Sequence, residues 1–263
     1  MIHIKKHSNH ESHKDDTHAF NKSQPRKKNH KDYYMNSNLA NDHFRTVKAG
    51  TLNVCIIVLP GAKVDRNSKD NQSIVPNRVK RDIAAANKIW KQYEKNRLIQ
   101  GVTFTITRSV VFLENISGIV SNAENFPIGG ASHLTMVQAM LKTGRKVCQN
   151  ADVYVFYMNG NRFGPVNFDY SSTLAVTYNS FPLIIMTNAS TDEYLLAHEL
   201  GHFMFITNRF NETDDPEPFH ELDGNHNRTP SNLMFPTPEF WPIVPEITSE
   251  QIHKALNSRV FYS

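Results

Sequence analysis

Cysteine is almost absent from the chain: 263 residues contain two, Cys55 and Cys148. Two cysteines exclude a disulfide framework. Cys55 sits inside an apolar run, so it is expected to be a buried free thiol, although the pair could form one bridge. Long hydrophobic runs are missing too. None exceeds the six residues of Val54-Cys55-Ile56-Ile57-Val58-Leu59, far short of the roughly 20 residues of a membrane span. No apolar segment follows Lys5 and Lys6, so no secretory signal is expected and the chain should be cytoplasmic where it is made. With 11 Gly and 13 Pro the composition excludes a collagen-like chain, and 39% hydrophobic residues exclude a wholly disordered one. That apolar fraction is enough for one sizeable core.

A net charge of one sign is also missing from most of the chain. The formal charge is +4, but residues 1–46 hold nine Lys or Arg against five Asp or Glu, which leaves 20 of each in residues 47–263. The body is therefore not a nucleic-acid-binding surface by charge. The first 46 residues also carry seven of the 13 histidines. They show no apolar periodicity and cannot bury enough surface to offset their ordering entropy, so residues 1–46 read as a disordered, basic, His-rich tail. Residues 47–263 read as one folded domain.

Within that body, hydrophobic periodicity predicts a mixed α/β sheet with helices on it. Leu52 to Leu59 is expected to be a buried strand. Asn77 is placed to cap a helix from Arg78 to Asn96 with an apolar stripe of Val79, Ile83, Ala86, Trp90 and Tyr93. Further strands are expected from Gly101 to Phe112, Ala151 to Met158 and Leu174 to Thr187. A second helix is expected from Ser132 to Val147, and a last one opens at Thr248-Ser249-Glu250-Gln251.

One motif carries chemistry. Ser190-Thr191-Asp192-Glu193 reads as a capping box that starts a helix with acidic residues in its first turn. That helix contains His198-Glu199-Leu200-Gly201-His202. Positions 198 and 202 are neighbours on one helical face, so both imidazoles can reach one metal ion. Glu199 is close enough to touch a water at the metal's open position without being a ligand itself. A metal-bound water of lowered pKa, with a carboxylate to take its proton, is the equipment for amide hydrolysis without a protein nucleophile.

Followed by Ser231-Asn232-Leu233-Met234-Phe235-Pro236, this HExxH segment resembles the zincin metallopeptidases of the metzincin clan, in which a methionine turn lies beneath the metal. The resemblance spans about residues 50–263. It implies a zinc (Zn2+) metalloendopeptidase with a zincin-like twisted mixed sheet, an active-site helix and a smaller C-terminal subdomain. Met234 would then be packing support, and Leu174 to Met186 the edge strand along which peptide is laid. Pro236, Pro238, Phe240 and Trp241 would be candidate walls of a substrate pocket.

The sequence departs from the clan at the third ligand. Where the clan has Gly and then a ligand, this chain has Phe205 and Asn208. Without a glycine exit the helix is expected to run on to about Asn208. Asparagine is a poor zinc ligand, so the third ligand must come from Asn211 to Pro230. His220, Glu221, Asp223 and His226 are the candidates. His226 is favoured because it follows Asp223-Gly224-Asn225 and shortly precedes the methionine turn. Glu221 would instead close the site in the thermolysin-like manner.

These readings converge on a zinc metalloendopeptidase with His198, His202 and His226 as metal ligands and Glu199 as general base. Its partner would be a protein or peptide substrate, not nucleic acid. The tail would serve secretion or injection machinery, as in a delivered effector or toxin. The competing reading is a non-catalytic metal-binding protein whose tail docks on nucleic acid or an assembly.

Overall fold

The computed structural model describes residues 50–64, 75–91, 101–127, 129–164, 173–178, 181–189, 192–206, 214–220, 223–237 and 244–261. Readings made on residues 1–46 lie outside them. The described body is a mixed α/β fold in which four α-helices accompany a five-stranded mixed sheet. The strands are β1 (Thr51–Val58), β2 (Thr103–Val111), β3 (Val153–Tyr157), β4 (Ala175–Thr177) and β5 (Leu183–Met186), in the order β2-β1-β3-β5-β4. All pairings are parallel except that of β4 with β5.

The apolar run of β1 is buried on both faces, as a central parallel strand requires. Leu52, Val54, Ile56 and Val58 join a core under helices α1 (Asn77–Trp90) and α3 (Leu195–Ile206). Cys55, Ile57 and Leu59 join a second core under α2 (Gly130–Val147). Among the described residues no helix is long and apolar enough to cross a membrane.

The alternation of β1 overturns the expectation of a free thiol at Cys55. Its side chain faces α2, whose C-cap is Cys148, and the two form a disulfide across 93 residues with Cα atoms 6.1 Å apart, within the ordinary range for such a bond. Closing a loop of that length removes unfolded-chain entropy worth roughly 4–5 kcal/mol.

Three helix boundaries differ from expectation. Asn77 is the first residue of α1 and not its cap; Pro76 takes that place without a side-chain bond. The helix ends at Trp90 because Gly101 brings the chain directly onto its last carbonyl, where the Val102 N–H donates to Trp90 O at 2.8 Å. Tyr93 to Asn96 lie outside the described residues. At α3, Asp192 and Glu193 form the turn before the helix instead of its first turn. The Asp192 carboxylate accepts from the Tyr194 N–H at 2.7 Å and its carbonyl accepts from Leu195 N–H at 3.3 Å. Ser190 and Thr191 lie outside the described residues. The stretch expected as one strand from Leu174 to Thr187 is a hairpin, β4 and β5, held by the Tyr178 N–H donating to Leu183 O.

Beyond α3 come a two-stranded hairpin, β6 (Pro218–His220) and β7 (Asp223–Asn227), the turn around Met234, and helix α4 (Ser249–Leu256). The last helix opens where expected, with a capping box: Thr248 Oγ1 accepts from the Gln251 N–H, and Gln251 Oε1 accepts from the Thr248 N–H.

A buried charged cluster ties α1 to β3. Asp82 Oδ2 accepts from the Tyr157 hydroxyl at 2.9 Å and lies 3.6 Å from Arg78 Nε. Burial is the largest influence and lifts the Asp82 carboxyl to about 6, against Arg78, the Tyr157 hydroxyl and Arg81, while Glu193 adds to the rise. An unfolded aspartate titrates near pH 4. Through the window between about pH 4 and 6 the folded chain keeps a proton that the unfolded chain has lost. Stability from this group therefore falls as pH rises through the window and is level above it, a step on the order of 3 kcal/mol. Asp82→Asn keeps an acceptor for Tyr157 and is expected to lack the step. Urea unfolding of both proteins from about pH 4 to about pH 7 measures it, and a constant difference between them refutes the assignment.

Candidate metal centre

Helix α3 is apolar on nearly all sides, and the described side chains from Leu195 to Phe205 are buried except for partial exposure at His202. A helix of that kind is held by packing and not by its own propensity. Two contacts fix its position. Trp90 Nε1, at the end of α1, donates to Ala197 O at 2.9 Å. Gly201 has no room for a side chain, because a Cβ there would stand 2.5 Å from Met234 Sδ and 2.9 Å from Trp90 Cζ2. Met234 therefore packs directly on the turn of helix between the two histidines.

The helix spacing brings His198 Nε2 and His202 Nε2 to 2.9 Å, and β7 supplies His226 from outside the helix. The candidate ligand atoms of the three imidazoles lie within 4.8 Å of one another. The His226 ring centroid is 5.4 Å from His198 and 4.8 Å from His202. His198 Nδ1 bonds with Leu233 O at 2.7 Å, so that nitrogen carries the proton and Nε2 is left with its lone pair toward the cluster. Burial first, then the neighbouring His198 and His226, hold His202 well below the usual imidazole range. A neutral imidazole is the form that ligates a metal. The donor set fits a divalent transition ion of borderline softness.

Glu199, next in sequence to His198 on α3, is buried. Its Oε2 accepts from Thr177 Oγ1 at 2.6 Å, and the same hydroxyl lies 3.0 Å from the Glu199 carbonyl oxygen. Burial raises the Glu199 carboxyl to about 7, with the Thr177 bond pulling the other way. Thr177 belongs to β4, the edge strand, so the acid is oriented by the strand nearest the helix.

The structure thus brings together His198, His202 and His226, and Glu199 lies on the helix that carries the first two. Helix α3 passes Phe205 and reaches Ile206, and Asn208 lies outside the described residues. Glu221 lies outside them as well, as do the side chains of His220 and Asp223. Thr177 and the Leu233 carbonyl were not legible in the sequence. A threonine in a strand has no pattern that announces its partner, and a backbone carbonyl has no sequence signal at all.

Fold and site together define a mixed α/β domain with a three-histidine cluster able to hold a metal ion. The chain matches no protein-family model and no curated protein sequence.

Proposed function

We propose that the protein is a zinc-dependent metalloendopeptidase with a zincin-like catalytic domain. The observation that carries this reading is a buried Glu199 carboxyl on the helix that supplies His198 and His202, held by Thr177 of the edge strand. A site that only bound metal for structure has no need of an oriented, non-ligating acid at that place. His198, His202 and His226 would hold the ion, which when bound supplies Lewis acidity to the scissile carbonyl and to a water. Glu199 takes the proton of the attacking water and delivers it to the departing amine.

Three further features support the zincin-like reading. Met234 packs beneath the helix at Gly201. The sheet ends in an antiparallel strand, β4, whose outer edge suits an extended peptide through backbone hydrogen bonds. Phe235 follows Met234 and meets Phe219 of β6 at 5.7 Å, an aromatic pair with Phe219 substantially exposed. Pro238, Phe240 and Trp241, also considered as pocket walls, lie outside the described residues.

The disulfide supports a working compartment that is not reducing. Bridges such as Cys55–Cys148 persist in oxidising surroundings and are rare in a reducing cytosol. That supports an effector or toxin that acts after delivery, with the basic, His-rich residues 1–46 as the segment its delivery machinery engages.

Elemental analysis with peptide-library profiling tests the proposal. The purified protein is expected to hold about one zinc per chain, to lose all cleavage on chelation and to regain it with zinc. Protein without a transition metal, and with no uptake at neutral pH, would sink it. Stoichiometric metal with no cleavage of any library peptide would favour the non-catalytic metal-binding protein instead.

A further inference from the structure

We propose that Asp215, Asn227, Asn232 and Gln251 are positioning residues for the third histidine, and that they assemble the triad before any metal arrives. The proposal rests on the metal-centre reading and not on the peptidase reading. All four side chains are buried, at 3%, 1%, 4% and 0% exposure. They come from four separate segments: the approach to β6, the end of β7, the methionine turn and α4.

Their hydrogen bonds form a circuit between the first and third histidines. His198 Nδ1 donates to Leu233 O, and the neighbouring Asn232 Nδ2 donates to Gln251 Oε1 at 3.0 Å. Gln251 Nε2 donates to Asn232 Oδ1 at 3.0 Å and to Asp215 Oδ2 at 2.5 Å. Asp215 Oδ1 accepts from Asn227 Nδ2 at 2.6 Å, and Asn227 is the next residue after His226. Backbone bonds close the circuit. Asn227 N–H donates to Met234 O at 2.8 Å, the Met234 N–H donates to Asn232 Oδ1 at 2.9 Å, and the Asp215 N–H donates to Gly224 O at 2.5 Å.

The chemistry of the circuit is specific to a carboxylate at its hub. Asp215 accepts from the Glu217 N–H, Asn227 Nδ2 and Gln251 Nε2. Among the described residues no cation pairs with it. An amide at that position would turn a donor toward another donor. Two adjacent histidines on one helix are placed by helix geometry, but a histidine on a short hairpin is not. A two-stranded hairpin alone is marginal in water, so a ligand on it needs outside support. Gln251 serves twice here, as the partner of Thr248 in the α4 capping box and as the link that carries the hairpin.

Zinc affinity and metal-free stability, measured side by side, test the proposal. Competition titration against a chromophoric chelator should give Asp215→Asn and Asn227→Ala a Kd for zinc about 10–100-fold weaker than wild type, the range for loss of groups that orient a ligand. Val155→Ala, in the sheet core, should lower the melting temperature of the metal-free protein and leave the Kd unchanged. If Asp215→Asn and Asn227→Ala behave like Val155→Ala, the cluster is only structural and the proposal is overturned. A second measurement needs no variant. In the metal-free wild type, NMR should show one set of His226 ring signals with cross-peaks to His202. Several His226 signals, or none to His202, would overturn preassembly. Wild type that takes up no zinc would remove the metal-centre reading, and this proposal with it.

Discussion

Glu199→Gln is expected to abolish peptide cleavage while leaving zinc content and melting temperature near those of wild type. Glutamine has the same shape as glutamate, and its amide oxygen can still accept the Thr177 hydroxyl that now reaches Oε2 at 2.6 Å. Glu199 is buried, so a shape-preserving change matters: a truncation would open a void beneath the helix and confuse a chemical effect with a packing one. What the amide cannot do is take a proton from water. Loss of a positioned general base typically costs about 10²–10⁴-fold in rate. Initial rates on a library-derived peptide, with zinc analysis of the same samples, check this. Zinc lost together with activity would make Glu199 a ligand. Undiminished cleavage would remove it from the mechanism altogether.

The parts of this arrangement that could be read from the sequence are those that follow one segment's periodicity. The buried β1, the strands β2 and β3, helix α2 and the start of α4 follow from runs of apolar residues and local polar chemistry. The 198/202 pairing follows from helical pitch alone. What could not be read depends on chain segments meeting from far apart. The end of α1 at Trp90 is set by Gly101 folding back onto it, not by any breaker inside the helix. The Cys55–Cys148 bridge depends on which face of β1 lies under α2. The 174–187 stretch reads as one strand because most of its residues are apolar, whereas β4 and β5 pair antiparallel and the Tyr178 N–H donates to Leu183 O. At the site, His226 could be favoured by its place before the methionine turn. The circuit through Asp215 and Gln251 could not, since it joins residues 36 apart in sequence by side-chain amides.

His226→Ala should weaken zinc binding more than the roughly 100-fold that follows when a group merely orienting a ligand is lost. The helix alone would then offer His198 and His202, and two imidazoles leave a zinc site short of the three protein ligands that catalytic sites ordinarily have. The metal-free protein should melt close to wild type. His226 is only partly buried, and the Asn227 side chain and backbone hold the end of β7 through Asp215 and Met234. Glu221→Ala and His220→Ala should both titrate like wild type. The contrast between these variants is what makes the experiment decisive, because each candidate third ligand predicts a different variant as the one that fails. If Glu221→Ala loses zinc and His226→Ala keeps it, a carboxylate closes the site in the thermolysin-like manner, and the approach of His226 to His202 is then packing without ligation. If only His226→Ala loses zinc, the third ligand comes from a separate hairpin and not from the helix. In that event the residues between His202 and Met234 hold a functional part of the centre, and deleting the β6–β7 hairpin should cost the metal as surely as the single substitution does.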